Sequence, residues 1–180
     1  MRRERTRKTI KPIHALGFFN VHEDGFIVEN IVFDYYDPGR VYWSKFTAGT
    51  LEEEIEAMRQ NMQEFLREEK TIINGETVVP RVLGADMVFR TPRYPSLILF
   101  ISFKGKLREG ENVYENIYEE TVSEYPYEFY WFFPEGFKIN EVIVDGDFTI
   151  EDNILMVWVS KGTKIKGYEK IVFKSTHRIR

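Results

Sequence analysis

The sequence predicts an α+β, mainly β protein: an antiparallel β-sandwich or open barrel with one long amphipathic helix packed on a sheet. Three observations predict it. One stretch, Thr50–Lys70, repeats its apolar residues at a helical period. Short runs rich in aromatic and β-branched residues fill most of the remaining chain, and turn residues separate those runs at close intervals. At 180 residues the chain is long enough for one substantial core and short for two. The expected organisation is therefore a basic, flexible N-terminal tail over residues 1–8 and a single mainly-β domain over 9–180 that contains helix 50–70.

The first β region runs from Leu16 to Phe46. LGFFNV and FIVENIVFDYY flank His22-Glu23-Asp24-Gly25, and VYWSKF follows Asp37-Pro38-Gly39-Arg40. Turn residues between such runs predict a three-stranded meander that ends where the helix begins. In the helix, Thr50 and Glu53 have the spacing of a capping box, and Glu52, Glu53 and Glu54 place negative charge at the positive end of the helix dipole. Leu51, Ile55, Met58, Met62, Phe65 and Leu66 share one stripe, opposite Glu53, Glu56, Gln60, Glu64 and Arg67. At 1.5 Å per residue the helix is roughly 30 Å long, and burying its stripe contributes about 2 kcal/mol per side chain before entropy is subtracted.

After the helix, Asn74-Gly75 between Thr71–Ile73 and Glu76–Val79 is the pair suited to a type I′ hairpin turn, in which both central residues need positive φ. Val82–Arg90 is the next expected strand, followed by a bend at Pro92–Pro95. Ser96–Phe103 is apolar at successive positions and predicts a central strand covered on both faces; Lys104–Asn112 reads as a loop. Val113–Val122, Tyr127–Phe133, Ile139–Val144, Phe148–Ile150, Ile154–Ser160 and Ile165–Lys174 complete the strand series.

Composition removes several classes of function. The chain has no cysteine, which excludes disulfides, thiolate metal sites and cysteine nucleophiles. No glycine-rich phosphate loop, nucleophile elbow or H-E-x-x-H pair occurs. His14, His22 and His177 lack metal-ligand spacing, and the order of Asp145, Asp147, Glu151 and Asp152 does not match an EF-hand loop. Neither cofactor nor metal is expected. The longest apolar run, Leu97–Ile101, falls far short of the roughly 20 residues of a membrane helix, so a cytoplasmic protein with no membrane partner is expected. Two glutamines among abundant Glu, Lys, Arg and aromatic residues suggest a thermophilic source.

The charge is uneven. Residues 1–8 hold five basic residues and one acid, which leaves 20 bases and 28 acids of the totals of 25 and 29 for the remaining chain. Arg2, Arg3, Arg5, Arg7 and Lys8 have the composition of a phosphate-contacting arm, but the acidic body argues against a nucleic-acid partner.

The richest candidate for a site is Tyr114–Phe133. Paired as a hairpin, its two strands place Tyr114, Tyr118, Glu120 and Trp131 on one aromatic face, where a ring-enclosed carboxyl gains the raised pKa of a general acid. These four residues are the expected ligand-binding set. The sequence thus favours a non-catalytic binding or protein-interaction module, its partner a small molecule or another protein. A hydrolase using Glu120 in an aromatic pocket is the first alternative. A nucleic-acid-associated protein using its basic termini is the second.

Overall fold

The structure, a computed structural model, describes residues 9–175. The basic tail at 1–8, His177 and the basic C-terminal residues lie outside the described residues. In chain order come β1 (Lys11–Val21), β2 (Phe26–Tyr36), α1 (Val41–Thr47), α2 (Leu51–Glu68), β3 (Lys70–Ile73), β4 (Glu76–Val78), β5 (Arg81–Thr91) and β6 (Tyr94–Lys104). They are followed by β7 (Gly110–Ile117), β8 (Thr121–Val122), β9 (Tyr127–Phe132), β10 (Phe137–Ile143), β11 (Asp147–Glu151), β12 (Ile154–Val159), β13 (Lys164–Ile165) and β14 (Tyr168–Ser175).

Two main sheets form, as the sandwich expectation requires. The seven-stranded sheet has the order β11-β12-β9-β1-β2-β6-β5, the five-stranded sheet β10-β14-β7-β3-β4, and β13 pairs with β8 apart from both. Alternation decides what each sheet buries. Inward-facing Trp131, Leu155 and Val157 of the first sheet meet Ile73, Ile171 and Phe173 of the second in one apolar core. A second core lies between α2, through Leu51, Ile55 and Leu66, and Leu97, Leu99 and Ile101 of β6. Gln63 fixes the helix over that sheet: its Nε2 donates to the Pro80 carbonyl at 3.0 Å, and its Oε1 accepts the Val82 N–H at 2.9 Å.

The hairpin at Asn74-Gly75 forms with φ of 52° and 83°, the left-handed pair the turn demands. Asn74 also accepts the Val113 N–H at 2.9 Å, which ties this turn to β7.

Four local expectations are corrected. Val41–Phe46 is helical, not a third strand. The fully buried Asp37 explains it: its Oδ2 accepts the Tyr42 N–H at 2.9 Å, satisfying one of the orphan donors at the start of α1. The Thr50 hydroxyl does not cap α2; it turns back toward the Lys45 carbonyl at 3.5 Å, while the Thr50 N–H donates to that carbonyl at 2.9 Å. The tight α1–α2 corner thus pairs the Thr50 N–H with a carbonyl at the end of α1, and no side chain caps the first turn of α2. β6 is covered on one face only, since Phe100 on the other face is 42% exposed. Finally, Val113–Val122 and Tyr127–Phe133 do not pair. β7 lies between β14 and β3, whereas β9 runs parallel to β1 and antiparallel to β12 in the other sheet.

Candidate ligand cavity

A cavity of about 620 Å³ opens where the two apolar cores meet. β1 makes the room. On its inward face stand Ala15 and Gly17, small residues in a row that continues with Phe19. A side chain at Gly17 would place its Cβ 3.2 Å from the Phe129 Cβ, so glycine is what lets β9 lie this close. Ile31 and Phe33 of β2, Phe103 of β6 and Met62, Phe65 and Leu66 of α2 supply further apolar wall.

The polar residues of the cavity come from both sheets and the helix end. Glu29 sits on the inward row of β2, between Ile27 and Ile31, and is 7% exposed. Among the described residues it has no hydrogen-bond partner. Glu69 follows the last residue of α2 and accepts from Asn116 Nδ2 at 3.0 Å; the Thr71 hydroxyl approaches Asn116 Oδ1 at 3.2 Å. Glu169 of β14 accepts the Tyr118 hydroxyl on Oε1 at 2.9 Å. Tyr114 of β7, 4% exposed, also lines the space, with no hydrogen bond from its hydroxyl to a described residue.

Burial sets the electrostatics of this cluster. It pushes the Glu29 carboxyl up to about 8 from an ordinary 4.5, with the Glu69 and Glu169 carboxylates adding repulsion. Glu169 rises to about 7, again chiefly by burial; the Tyr118 hydroxyl pulls the other way, and Glu69 and Asp145 push it up further. Glu69 is also raised by burial, an effect Asn116 offsets by hydrogen bonding. The phenols of Tyr114, Tyr118 and Tyr127 are all shifted up by burial, so they remain protonated donors.

The four residues expected to form the site separate. Tyr114 and Tyr118 line the cavity. Trp131 lies in the core at 1% exposure, stacked on Phe19 at 4.3 Å, with no partner for its Nε1 among the described residues. Glu120 lies outside the cavity: its side chain is 66% exposed and faces Lys164 Nζ at 3.7 Å. The ring-enclosed position assigned to Glu120 depended on a β7–β9 hairpin that does not exist. Glu29, Glu69 and Glu169 were missed. A signal for two of them was present, since Glu29 and Glu169 each stand in an inward apolar row, the latter with Ile171 and Phe173.

Among the described residues no group of three or more acidic or histidine side chains has the spacing to hold a metal ion. No helix among them is long and apolar enough to cross a membrane.

No known protein family matches the sequence, and no curated protein does. Solved structures that resemble the fold include an M1 zinc metallopeptidase from Deinococcus radiodurans, at TM-score 0.39 and 10% identity over 92% of this chain and 42% of that one. Another is a protease described as putative from Parabacteroides distasonis ATCC 8503, at TM-score 0.32 and 7% identity over 93% of this chain and 40% of that one. The chain therefore spans less than half the length of these structures. Likenesses of this size carry no argument about function.

Proposed function

We propose that this protein is a non-catalytic binding module whose ligand, a small molecule, occupies the cavity between the two sheets and α2. What supports the reading above all is that two nearly fully buried polar side chains, Glu29 and Tyr114, line one cavity without hydrogen-bond partners among the described residues. The fully enclosed polar atoms that lack a partner among the described residues are Asp37 Oδ1 and Trp131 Nε1, not those of Glu29 or Tyr114, so the latter two open into the cavity, where a ligand can meet them. The volume lies within the roughly 300–1,000 Å³ of small-molecule sites, and mostly apolar walls with a few convergent polar groups are their usual lining. Tyr114 and Tyr118 belong to the proposed site, together with Glu29, Glu69 and Glu169. Glu120, facing solvent and Lys164, and Trp131, packed in the core, do not.

The neutral fluorophore N-phenyl-1-naphthylamine tests this reading. It is expected to bind one-to-one with enhanced emission, and Ala15→Phe, which fills the cavity from β1, is expected to abolish the enhancement while the far-ultraviolet spectrum stays unchanged. An absence of enhancement in the wild-type protein, or equal binding by a folded Ala15→Phe variant, contradicts it.

A further inference from the structure

We infer that the cavity selects an organic cation, a protonated amine carried on an apolar body, with its ammonium seated against Glu29 and within the field of Glu69 and Glu169. This rests on the reading of the cavity as a small-molecule site and names the chemistry of the ligand.

The charge of the lining is one-sided. Among the described residues that line the cavity, Glu29, Glu69, Glu119, Glu124, Glu128 and Glu169 are acidic, and none is Lys, Arg or His. Glu128 is committed to His14, whose Nε2 lies 2.8 Å from its Oε2. Glu119 and Glu124 are solvent-exposed, whereas Glu29, Glu69 and Glu169 have no basic residue within the cavity to face. Anions are therefore disfavoured beside these three.

Glu29 converts that general field into a specific contact. A carboxyl on the inward face of a central strand, between two isoleucines and without a partner, is a costly choice for a core position, where leucine would pack and stabilise. A ligand ammonium supplies the missing charge and the missing donors together, in the charge-assisted geometry that strengthens such bonds. The absence of metal-ligand spacing among the described residues favours an N–H donor over a bare cation. Phe19, Phe103 and Phe129 offer apolar contact to the ligand body.

Proton release follows. Burial keeps a proton on Glu29 up to about 8 and on Glu169 up to about 7, and an ammonium beside them favours their ionised forms. The groups facing them are Glu69 at the end of α2, Tyr114 and Tyr118 from β7 and the residue beyond it, Tyr127 of β9 and, toward Glu169, Asp145 after β10. All are acidic or neutral; Asp145 alone of them faces a cation, Lys166 Nζ at 3.7 Å. Amine affinity should rise from pH 6 to pH 8.5, a range in which an alkylammonium keeps its own proton.

Displacement of N-phenyl-1-naphthylamine by decylamine, decanol and decanoate at pH 8.5 tests the inference. These three share one apolar chain and differ in head-group charge. Decylamine is expected to displace the dye at a concentration about 10-fold or more below that of decanol, with decanoate the weakest. The advantage of the amine is expected to fall to about threefold or less in Glu29→Gln and at pH 6, and to shrink in the same direction in Glu169→Gln. Equal displacement by amine and alcohol, an amine advantage unchanged in both variants, displacement led by decanoate, or no displacement by any of the three would overturn the inference while the dye still reports an open cavity. Failure of the dye itself to bind removes the cavity reading and the inference with it.

Discussion

Glu29→Gln is expected to raise the melting temperature at pH 8.5 and to leave it nearly unchanged at pH 5. The sign follows from where the proton resides. In the unfolded chain Glu29 ionises near its ordinary 4.5, whereas in the folded protein burial holds its proton until about 8. Between those values the folded state binds one more proton than the unfolded state, and stability falls with rising pH by about 1.4 kcal/mol per unit. Below 4.5 the contribution of the protonated carboxyl is fully present; above 8 it has been lost. Glutamine keeps the neutral, hydrogen-bonding character of the protonated acid and has no proton to lose. The variant should therefore gain several kcal/mol over wild type at pH 8.5, on the order of 10 °C for a chain of this size. Glu169 and Glu69 remain raised in the variant, so a shallower fall toward neutral pH should persist. Equal melting temperatures of the two proteins at pH 8.5 would show that Glu29 is ionised at little cost in the folded state.

Trp131→Ala is expected to lower stability by about 3–5 kcal/mol, which for this length corresponds to a fall of roughly 10 °C or more. The indole is 1% exposed, stacks on Phe19 at 4.3 Å and tilts against Tyr114 at 4.6 Å, so it joins β9, β1 and β7 across both sheets. Removing it leaves a cavity that these rings cannot collapse to fill. Trp131→Phe should cost much less, because a ring remains and the buried Nε1, which has no partner among the described residues, goes with the substitution. Thermal denaturation of both variants checks the pair. A loss below about 1 kcal/mol in Trp131→Ala would contradict the packing described.

Sequence reasoning reached what is local. The His22–Gly25 turn and the Asn74-Gly75 hairpin depend on neighbours a few residues apart, and each forms; of the α2 stripe Leu51, Ile55 and Leu66 are buried, whereas Phe65 is 54% exposed. It failed where the structure is long-range. The parallel pairing of Gly17 with Phe129 joins segments more than a hundred residues apart, and no turn chemistry announces it. Without that pairing, β7 and β9 looked like hairpin partners. Strand parity puts Tyr114 and Tyr118 on one side, and both line the cavity. Trp131 belongs to the other sheet, and β7 ends at Ile117, short of Glu120. α1 was missed for a similar reason: VYWSKF has strand composition, and only the buried Asp37 carboxylate before it favours the helical turn. The acidic residues of the cavity were legible in part. An inward row of Ile27, Glu29, Ile31 and Phe33 with one carboxyl in it is a conflict between position and residue type, of the kind expected at functional or strained positions.

The Glu29 carboxyl, unpaired among the described residues, is held in a largely apolar cavity between the sheets. The most direct test of this is carbon-detected NMR titration of the glutamate side-chain carboxyls in the unliganded protein. One resonance, absent from Glu29→Gln, is predicted to titrate near 8. Its titration near the ordinary 4.5 would mean that Glu29 is solvated or paired, and would contradict this arrangement.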